Sequence, residues 1–355
     1  MRIGVPKETK TLEGRVALVP AACGDLIKAG HEVWIESGAG LKSGYRDEAF
    51  SALGVKIAPD AAGLYEKGEM IVKVKEPIAG DLEHLRKDHL LFCYLHLAPD
   101  PELTRRLLAI GLTGVAFESV EETDHSLPLL APMSVIAGRI AVQVATHLLH
   151  QPQGGKGKLL GGLPAAERGK VVVLGAGAAG GNSAALAAAM GAQVVVFDRK
   201  PEKLAQMMAL GANVTALYPY ESYVAREVAD ADIVVGAVLI PSARAPRVVT
   251  TPMIQSMEPG SVIVDISIDQ GGCVEGIRPT TYAAPTYVEH GVTHFAVTNM
   301  PGAVPQTSSQ AISAAILPYT LRLASAGWRD YAPLNRGINV ERGQIVHPAL
   351  KGMVL

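Results

Sequence analysis

Lys170-Val-Val-Val-Leu174, then Gly175-Ala-Gly177-Ala-Ala-Gly180, a helix-forming run from Ala184 to Met190, and Val194-Val-Val-Phe197 ending on Asp198 together decide the fold of this chain. A strand, a glycine-rich turn and a helix, with an acid at the end of the next strand, form the pattern of a dinucleotide-binding unit. Gly175 permits the tight turn, Gly177 lets the backbone approach a pyrophosphate, and Gly180 lets helix and strand pack closely. The helix N-terminus offers unpaired N–H groups and the positive end of its dipole to the phosphates. A glycine-rich turn without a ligand is the plainer alternative, and the flanking strand, helix and acid argue against it. Asp198 can accept hydrogen bonds from the ribose hydroxyls and repel a 2′-phosphate, which favours NAD over NADP. Arg199 and Lys200 pull the other way.

The fingerprint lies in mid-chain. Before it, strands are expected at Arg2–Val5, Glu32–Glu36, Met70–Val74, Leu90–Leu95 and Thr113–Glu118, with helices between them such as Ala21–Ala29 and Pro101–Ile110. That alternation predicts a parallel sheet wrapped by helices. Pro128 to Pro132 marks a break, followed by a long helix over Val135–His150 and a glycine- and lysine-rich exposed loop over Gln151–Gly162. Further strands are expected near 171–174, 194–197, 213–217, 232–236, 261–266 and 293–297. A last long helix, Gln306–Ala326, carries the chain back to the first domain. The expected fold is α/β, with two Rossmann-like domains built on parallel sheets. The nucleotide-binding domain, residues 131–304, is inserted into a discontinuous substrate domain formed by residues 1–130 and 305–355.

Composition supports two domains. The chain has 355 residues, 48% of them hydrophobic, with 37 glycines, which suits tightly packed α/β layers. A formal net charge of −2 gives no reason to expect nucleic acid. No apolar run reaches the ~18 residues that span a bilayer, so no membrane partner is expected. The start, Met1-Arg-Ile-Gly-Val-Pro6, enters a strand at once and does not read as a secretory leader. Three scattered cysteines, Cys23, Cys93 and Cys273, point to neither disulfides nor zinc, and a cytoplasmic setting is the default. His147 with His150, and His290 with His294, lack a third ligand at metal spacing, so no metal is expected.

Ligands of open parallel sheets gather beyond the carboxyl ends of the strands. Met70-Ile-Val-Lys-Val-Lys75 ends on Lys75, and Leu90-Leu-Phe-Cys-Tyr-Leu-His96 ends on His96. On neighbouring parallel strands the two project over one rim. There a lysine can fix a carboxylate or carbonyl, and a histidine can move protons near neutral pH. Each residue also has a plain reading. A strand-end histidine often only caps, and a lysine is often only solvated, so the pair is left open at this point. Arg15 lies in a glycine-bearing loop before an apolar stretch, where it can grip a carboxylate bidentately or lie at the surface. Asp269 sits in a glycine-rich loop at a strand end, where a nicotinamide ring is expected, whereas Asp265 lies within the strand and reads as structural.

These blocks resemble the alanine dehydrogenase family, with its relative the proton-translocating transhydrogenase α subunit. The matching stretches are Gly4-Val-Pro-Lys-Glu8, Arg15-Val-Ala-Leu-Val-Pro20, Lys73-Val-Lys-Glu-Pro77, Tyr94-Leu-His-Leu-Ala98, Ala131-Pro-Met-Ser134, Pro152-Gln-Gly-Gly155, Gly236-Ala-Val-Leu239, Asp265 to Cys273, Arg278-Pro-Thr-Thr-Tyr282 and Asn299 to Pro305. The resemblance implies reversible, NAD-dependent oxidative deamination of L-alanine to pyruvate and ammonium. It implies that Arg15 and Lys75 hold the substrate, that His96 is the acid/base, and that Asp269 is a second essential acid. It further implies a cofactor lining of Ser134, Ala178, Asp198, Lys203, Val238, Leu239, Ile266, Ser267, Ile268, Asp269, Arg278, Val297, Thr298, Asn299 and Met300, and a homohexamer in the cytoplasm. The family usually shows an Asn-Glu pair between Glu8 and Arg15. Here the stretch is Thr9-Lys-Thr-Leu-Glu-Gly14, which alters the loop bearing Arg15. A transhydrogenase-like subunit, or a dehydrogenase of a larger amino acid, is the alternative.

Overall fold

A computed structural model describes residues 1–238 and 245–352. Leu239, expected at the cofactor, lies outside the described residues. The chain divides into two compact units, Met1–Met133 with Gly302–Leu355, and Ser134–Pro301.

The first unit carries strands β1 (Arg2–Val5), β2 (Glu32–Glu36), β3 (Lys56–Ala58), β4 (Met70–Val72), β5 (Leu90–Cys93) and β6 (Thr113–Ala116). They lie in the order β6-β5-β4-β1-β2-β3, all parallel. A C-terminal hairpin, Ile338–Glu341 with Gln344–Ile345, adds to the β6 edge antiparallel. The winding reverses between β1 and β4, the switch point at which such sheets leave a crevice. Leu64, Ile71, Leu91, Cys93 and Leu107 form part of the core. Helix Pro305–Leu323 fastens the Arg15 segment from behind: the Val16 N–H donates to Ser309 Oγ at 2.9 Å and the Val19 N–H to Ser313 Oγ at 3.0 Å.

The second unit carries β7 (Lys170–Leu174), β8 (Gln193–Phe197), β9 (Val214–Leu217), β10 (Ile233–Gly236), β11 (Val262–Asp265), β12 (Thr286–Glu289) and β13 (Val292–Phe295). Their order is β12-β13-β11-β10-β7-β8-β9, parallel except for the edge strand β12. Without β12 this is the dinucleotide-binding order, with its switch point between β7 and β10. Alternation divides β7 between two cores. Val171 and Val173 pack with Ala145, Ala184 and Ala187, while Val172 and Leu174 pack with Val224, Val228 and Ile254. Strands covered on both faces must be apolar throughout, which is why these runs do not alternate with polar residues.

Several expected boundaries move. The strands carrying Lys75 and His96 end at Val72 and Cys93, so both residues lie on the loops that follow. The long helix begins at Ala131 rather than Val135. Pro132 is its second residue, where no intrahelical N–H is needed. The loop over Gln151–Gly162 is tied down rather than simply exposed: Lys156 and Lys158 reach buried Asp232 at 2.7 and 2.9 Å. The short edge strands β3 and β12 and the C-terminal hairpin carry no strong pattern and were not expected.

Candidate active site

At the switch point of the first unit, the segments leaving β1 and β4 are pinned together by one carboxylate. Glu8 accepts from the Val74 N–H at 2.6 Å and the Lys75 N–H at 3.3 Å, and from Lys73 Nζ at 3.1 Å. Lys73 is fully enclosed and also lies 3.3 Å from Asp81, which in turn accepts from the Tyr65 hydroxyl at 2.7 Å. Burial works against the Lys73 charge, but Glu8 and Asp81 outweigh it and hold the ammonium above the ordinary lysine range. Lys73 is therefore committed to structure, and Lys75, two residues on, is half-buried. Glu76 next to it is paired with Lys10. Burial opposes its charge, and Lys75 and Lys10 pull it below the usual carboxylate range.

Arg15 is buried against Glu13, whose Oε1 accepts from Nε at 2.7 Å and whose Oε2 accepts from Nη2 at 2.6 Å. Nη1 donates to Sδ of Met133 at 3.1 Å. Burial opposes the guanidinium charge, and Glu13 more than restores it. His96 adopts a left-handed backbone at φ 47° and stacks on Tyr94, with ring centroids 5.5 Å apart and planes 4° apart. The Tyr94 hydroxyl donates to the Leu129 carbonyl at 2.6 Å. Burial lifts its pKa, against the pull of Arg15.

In the second unit two of the three fingerprint glycines stand where a Cβ would clash. Gly175 has φ 98°, and a Cβ there would come within 2.6 Å of the Ala237 carbonyl oxygen across the switch point. Gly180 lies so close to β7 that a Cβ would meet the Gly175 carbonyl oxygen at 1.8 Å. Gly177 caps helix Ala178–Ala189 and is open, the nearest atom to its notional Cβ being Lys203 Nζ at 3.9 Å. A cleft of about 420 Å³ opens there, lined by Gly177, Ala178, Asn182, Lys203 and Gln206 among others. Asp198 Oδ2 accepts from the Ala176 N–H at 2.8 Å, and Oδ1 accepts from the Lys200 N–H at 2.9 Å. A bare helix N-terminus, a glycine that leaves the approach clear, a lysine beside it and a fixed carboxylate fit a dinucleotide.

Asp269 is exposed on the short turn Ile266–Gln270 that follows β11. Buried Asp265 shapes this loop, accepting from the backbone N–H of Ser267 at 2.9 Å, Cys273 at 2.8 Å and Val274 at 3.1 Å. Ser267 Oγ donates to the Val238 carbonyl at 2.9 Å, joining two stretches expected at the cofactor. Arg278 lies 4.0 Å from the Tyr287 ring centroid. Val297 and Met300 are in the core, whereas Thr298 is exposed and half-buried Asn299 has φ 60°. Ile268 is buried, while Ser134 and Ile266 are half-buried. Among the described residues no group of three or more His, Cys, Asp or Glu side chains could hold a metal ion, and no helix is long and apolar enough to cross a membrane.

The structure thus brings Arg15, Lys75 and His96 to the carboxyl-end rim of one sheet, and the glycine loop, Asp198 and the Asp269 loop to that of the other. Sequence reasoning missed Glu8, Glu13 and Glu118, which hold three of these residues in place. Glu8 and Glu13 lie within a few residues of Arg15, and Glu118 ends the strand run after that of His96. Position was their only signal.

Family profiles match the chain in two blocks: "Alanine dehydrogenase/PNT, N-terminal domain" over residues 4–137 and "Alanine dehydrogenase/PNT, C-terminal domain" over residues 141–348. The chain belongs to the alanine dehydrogenase/PNT family. An alanine dehydrogenase of Methanococcus maripaludis is 46% identical to it over 99% of this chain and 95% of that protein. A solved L-alanine dehydrogenase superposes with a TM-score of 0.95 at 46% identity, covering 99% of this chain and 98% of that one. A transhydrogenase from Sinorhizobium meliloti superposes at 0.85 with 27% identity, covering 98% of this chain and all of its own. Membership makes the chain an oxidoreductase and implies a nicotinamide cofactor.

Proposed function

We propose that this chain is an L-alanine dehydrogenase, catalysing the reversible oxidative deamination of L-alanine to pyruvate and ammonium with NAD. The observation that carries the reading is the near-full-length identity with alanine dehydrogenases, in a chain that keeps Arg15, Lys75, His96 and Asp269. Residues 1–130 and 305–355 form the substrate domain in this reading, and residues 131–304 the NAD domain.

NAD, when bound, supplies the two-electron acceptor for the hydride of the alanine Cα–H. Gly177 and Ala178 would admit its pyrophosphate, with Gly175 and Gly180 shaping the turn and Lys203 beside it, and Asp198 would hold the ribose. Ser134, Val238, Leu239, Ile266, Ser267, Ile268, Arg278, Val297, Thr298, Asn299 and Met300 complete the lining, with buried Val297 and Met300 serving through their backbone. Arg15 grips the substrate carboxylate with its planar fork, and Lys75 fixes carboxylate and carbonyl oxygen as a point charge. His96 takes the proton of the water that adds to the iminium carbon and returns one to the departing nitrogen. Asp269 stabilises the iminium charge. Small substrates, a cytoplasmic setting and a homohexamer follow from the family resemblance, and sedimentation checks the last.

The decisive experiment follows NADH fluorescence with the purified chain. Decay is expected with pyruvate and ammonium together and with neither alone, and faster with NADH than with NADPH because of Asp198. Decay with a larger oxoacid but none with pyruvate moves the substrate to that class. The likeness to the transhydrogenase favours a rival reading, hydride exchange between nicotinamides without amino-acid chemistry. NADH oxidation by a nicotinamide analogue, with pyruvate and ammonium inert, would decide for it.

A further inference from the structure

His96 is one of seven non-glycine residues with positive φ among the described residues, a backbone that is uncommon because it crowds Cβ. Such strain persists only where the surroundings impose it. The pairing of β5 with β6 shows what holds the backbone that leads into His96. Cys93 is the register partner of Ala116, and two residues beyond each come Leu95 and Glu118. The strand ladder has ended there, so the backbone donors of Leu95 and His96 have no carbonyl on β6 to meet. The Glu118 carboxylate takes that place: Oε1 accepts from the His96 N–H at 2.7 Å, and both oxygens accept from the Leu95 N–H at 3.2 Å. Hydrogen bonds to a carboxylate are stronger than those of a neutral ladder, and together these fix the Leu95–His96 peptide from which the His96 side chain departs.

We propose that Glu118 is the positioning residue of the site, fixing the imidazole of His96 by capturing the backbone that carries it; this rests on the reading of His96 as the acid/base. The contact is not a carboxylate–histidine dyad. Nδ1 of His96 lies 3.9 Å from Oε1, beyond hydrogen-bond reach. Glu118 acts on the main chain while the Tyr94 ring, anchored through its hydroxyl to Leu129, limits the imidazole from one face. The side chain is thus oriented without its ring nitrogens being consumed by Glu118, which leaves them to move protons on the substrate.

The test compares Glu118→Gln and Glu118→Ala, each alone and combined with His96→Ala, in the full-length chain. Steady-state turnover of pyruvate, ammonium and NADH is measured beside a direct NADH titration. Gln keeps one acceptor oxygen and is expected to lose about 10-fold in kcat, and Ala about 100-fold, with the pyruvate KM and the NADH Kd within about 2-fold of the parent. In the His96→Ala background, Glu118→Ala is expected to cost nothing further, since the group it positions is gone. Should the alanine variant fail to fold, the glutamine variant carries the comparison. Wild-type kcat in the Glu118 variants with His96→Ala inactive overturns the positioning role and leaves the acid/base reading standing. Independent, multiplying losses in the double variant overturn it as well. Full turnover in His96→Ala overturns the acid/base reading itself, and the proposal with it.

Discussion

Glu13 grips Arg15 along one edge: its carboxylate accepts from the Arg15 backbone N–H at 3.0 Å, from Nε at 2.7 Å and from Nη2 at 2.6 Å. Both side chains are almost wholly buried, 1% and 2% exposed. A guanidinium held this way cannot swing, so its position relative to Lys75 is set before substrate arrives. Preorganisation of this kind lowers the entropic cost of binding a carboxylate.

Arg15→Lys keeps the charge but loses the planar fork, and a lysine cannot occupy both Glu13 oxygens and a ligand in the same geometry. The pyruvate KM is expected to rise about 10- to 100-fold, as the loss of one charged hydrogen-bonded pair worth about 1.5–3 kcal/mol predicts. The NADH Kd should stay unchanged, because Arg15 belongs to the other unit from the glycine loop. Equal losses in both constants would show a folding defect instead.

The two later glycines of the fingerprint separate fold from function. Gly180→Ala drives a Cβ to 1.8 Å from the Gly175 carbonyl oxygen, so helix and strand must part and stability is expected to fall by about 1–3 kcal/mol or more. Gly177→Ala meets nothing closer than Lys203 Nζ at 3.9 Å. That variant is expected to unfold at the parental temperature while binding NADH at least about 10-fold more weakly, because the methyl group occupies the approach of the pyrophosphate. Thermal melts beside NADH titrations check both. Parental NADH affinity in Gly177→Ala would place the cofactor elsewhere.

What the sequence disclosed depended on how local the cause was. The strand β7, its glycines and Asp198 follow one another in the chain, and Asp198 meets the Ala176 N–H only 22 residues away. Lys75 and His96 could be found because each closes an apolar run. Glu118 could not, because its meaning rests on the register of Cys93 with Ala116, which no single segment specifies. Lys156 and Lys158 read as solvated for the same reason: their partner, Asp232, lies more than 70 residues away and is buried. Short edge strands such as Lys56–Ala58 carry too few residues for any period to show.

Asp232 makes the second unit sensitive to acid. Burial alone would raise its pKa, but Lys156, the Lys170 N–H and Lys158 outweigh this and hold it below the usual aspartate range. A carboxyl depressed in the folded state takes up protons more readily when unfolded, so stability falls as protons are added. Its contribution is complete above about pH 4, the unfolded aspartate range, and is lost as pH falls through the lower folded value. Urea melts from pH 6 to pH 2 are expected to show this loss in the parent. In Asp232→Asn stability should be lower at pH 6 and the slope below about pH 4 shallower. An unaltered slope would assign the acid sensitivity to other carboxylates.

The loop that bears Arg15 holds strain that can be relieved without touching the site. The Glu13 N–H donates to the Lys10 carbonyl at 3.0 Å, closing a four-residue turn whose third position is Leu12 at φ 60°. Turns of this kind call for glycine or asparagine there, and the family's usual Asn-Glu pair falls in this stretch. Leu12 is 54% exposed, so little packing offsets the left-handed cost of about 1–2 kcal/mol. Leu12→Asn is therefore expected to raise the thermal midpoint of the first unit by about 2–4 °C. The Glu13–Arg15 pair does not involve the Leu12 side chain, so the pyruvate KM should be unchanged. A lower midpoint would mean that Leu12 is covered in solution, and a raised KM would mean that the strained turn itself sets the position of Arg15.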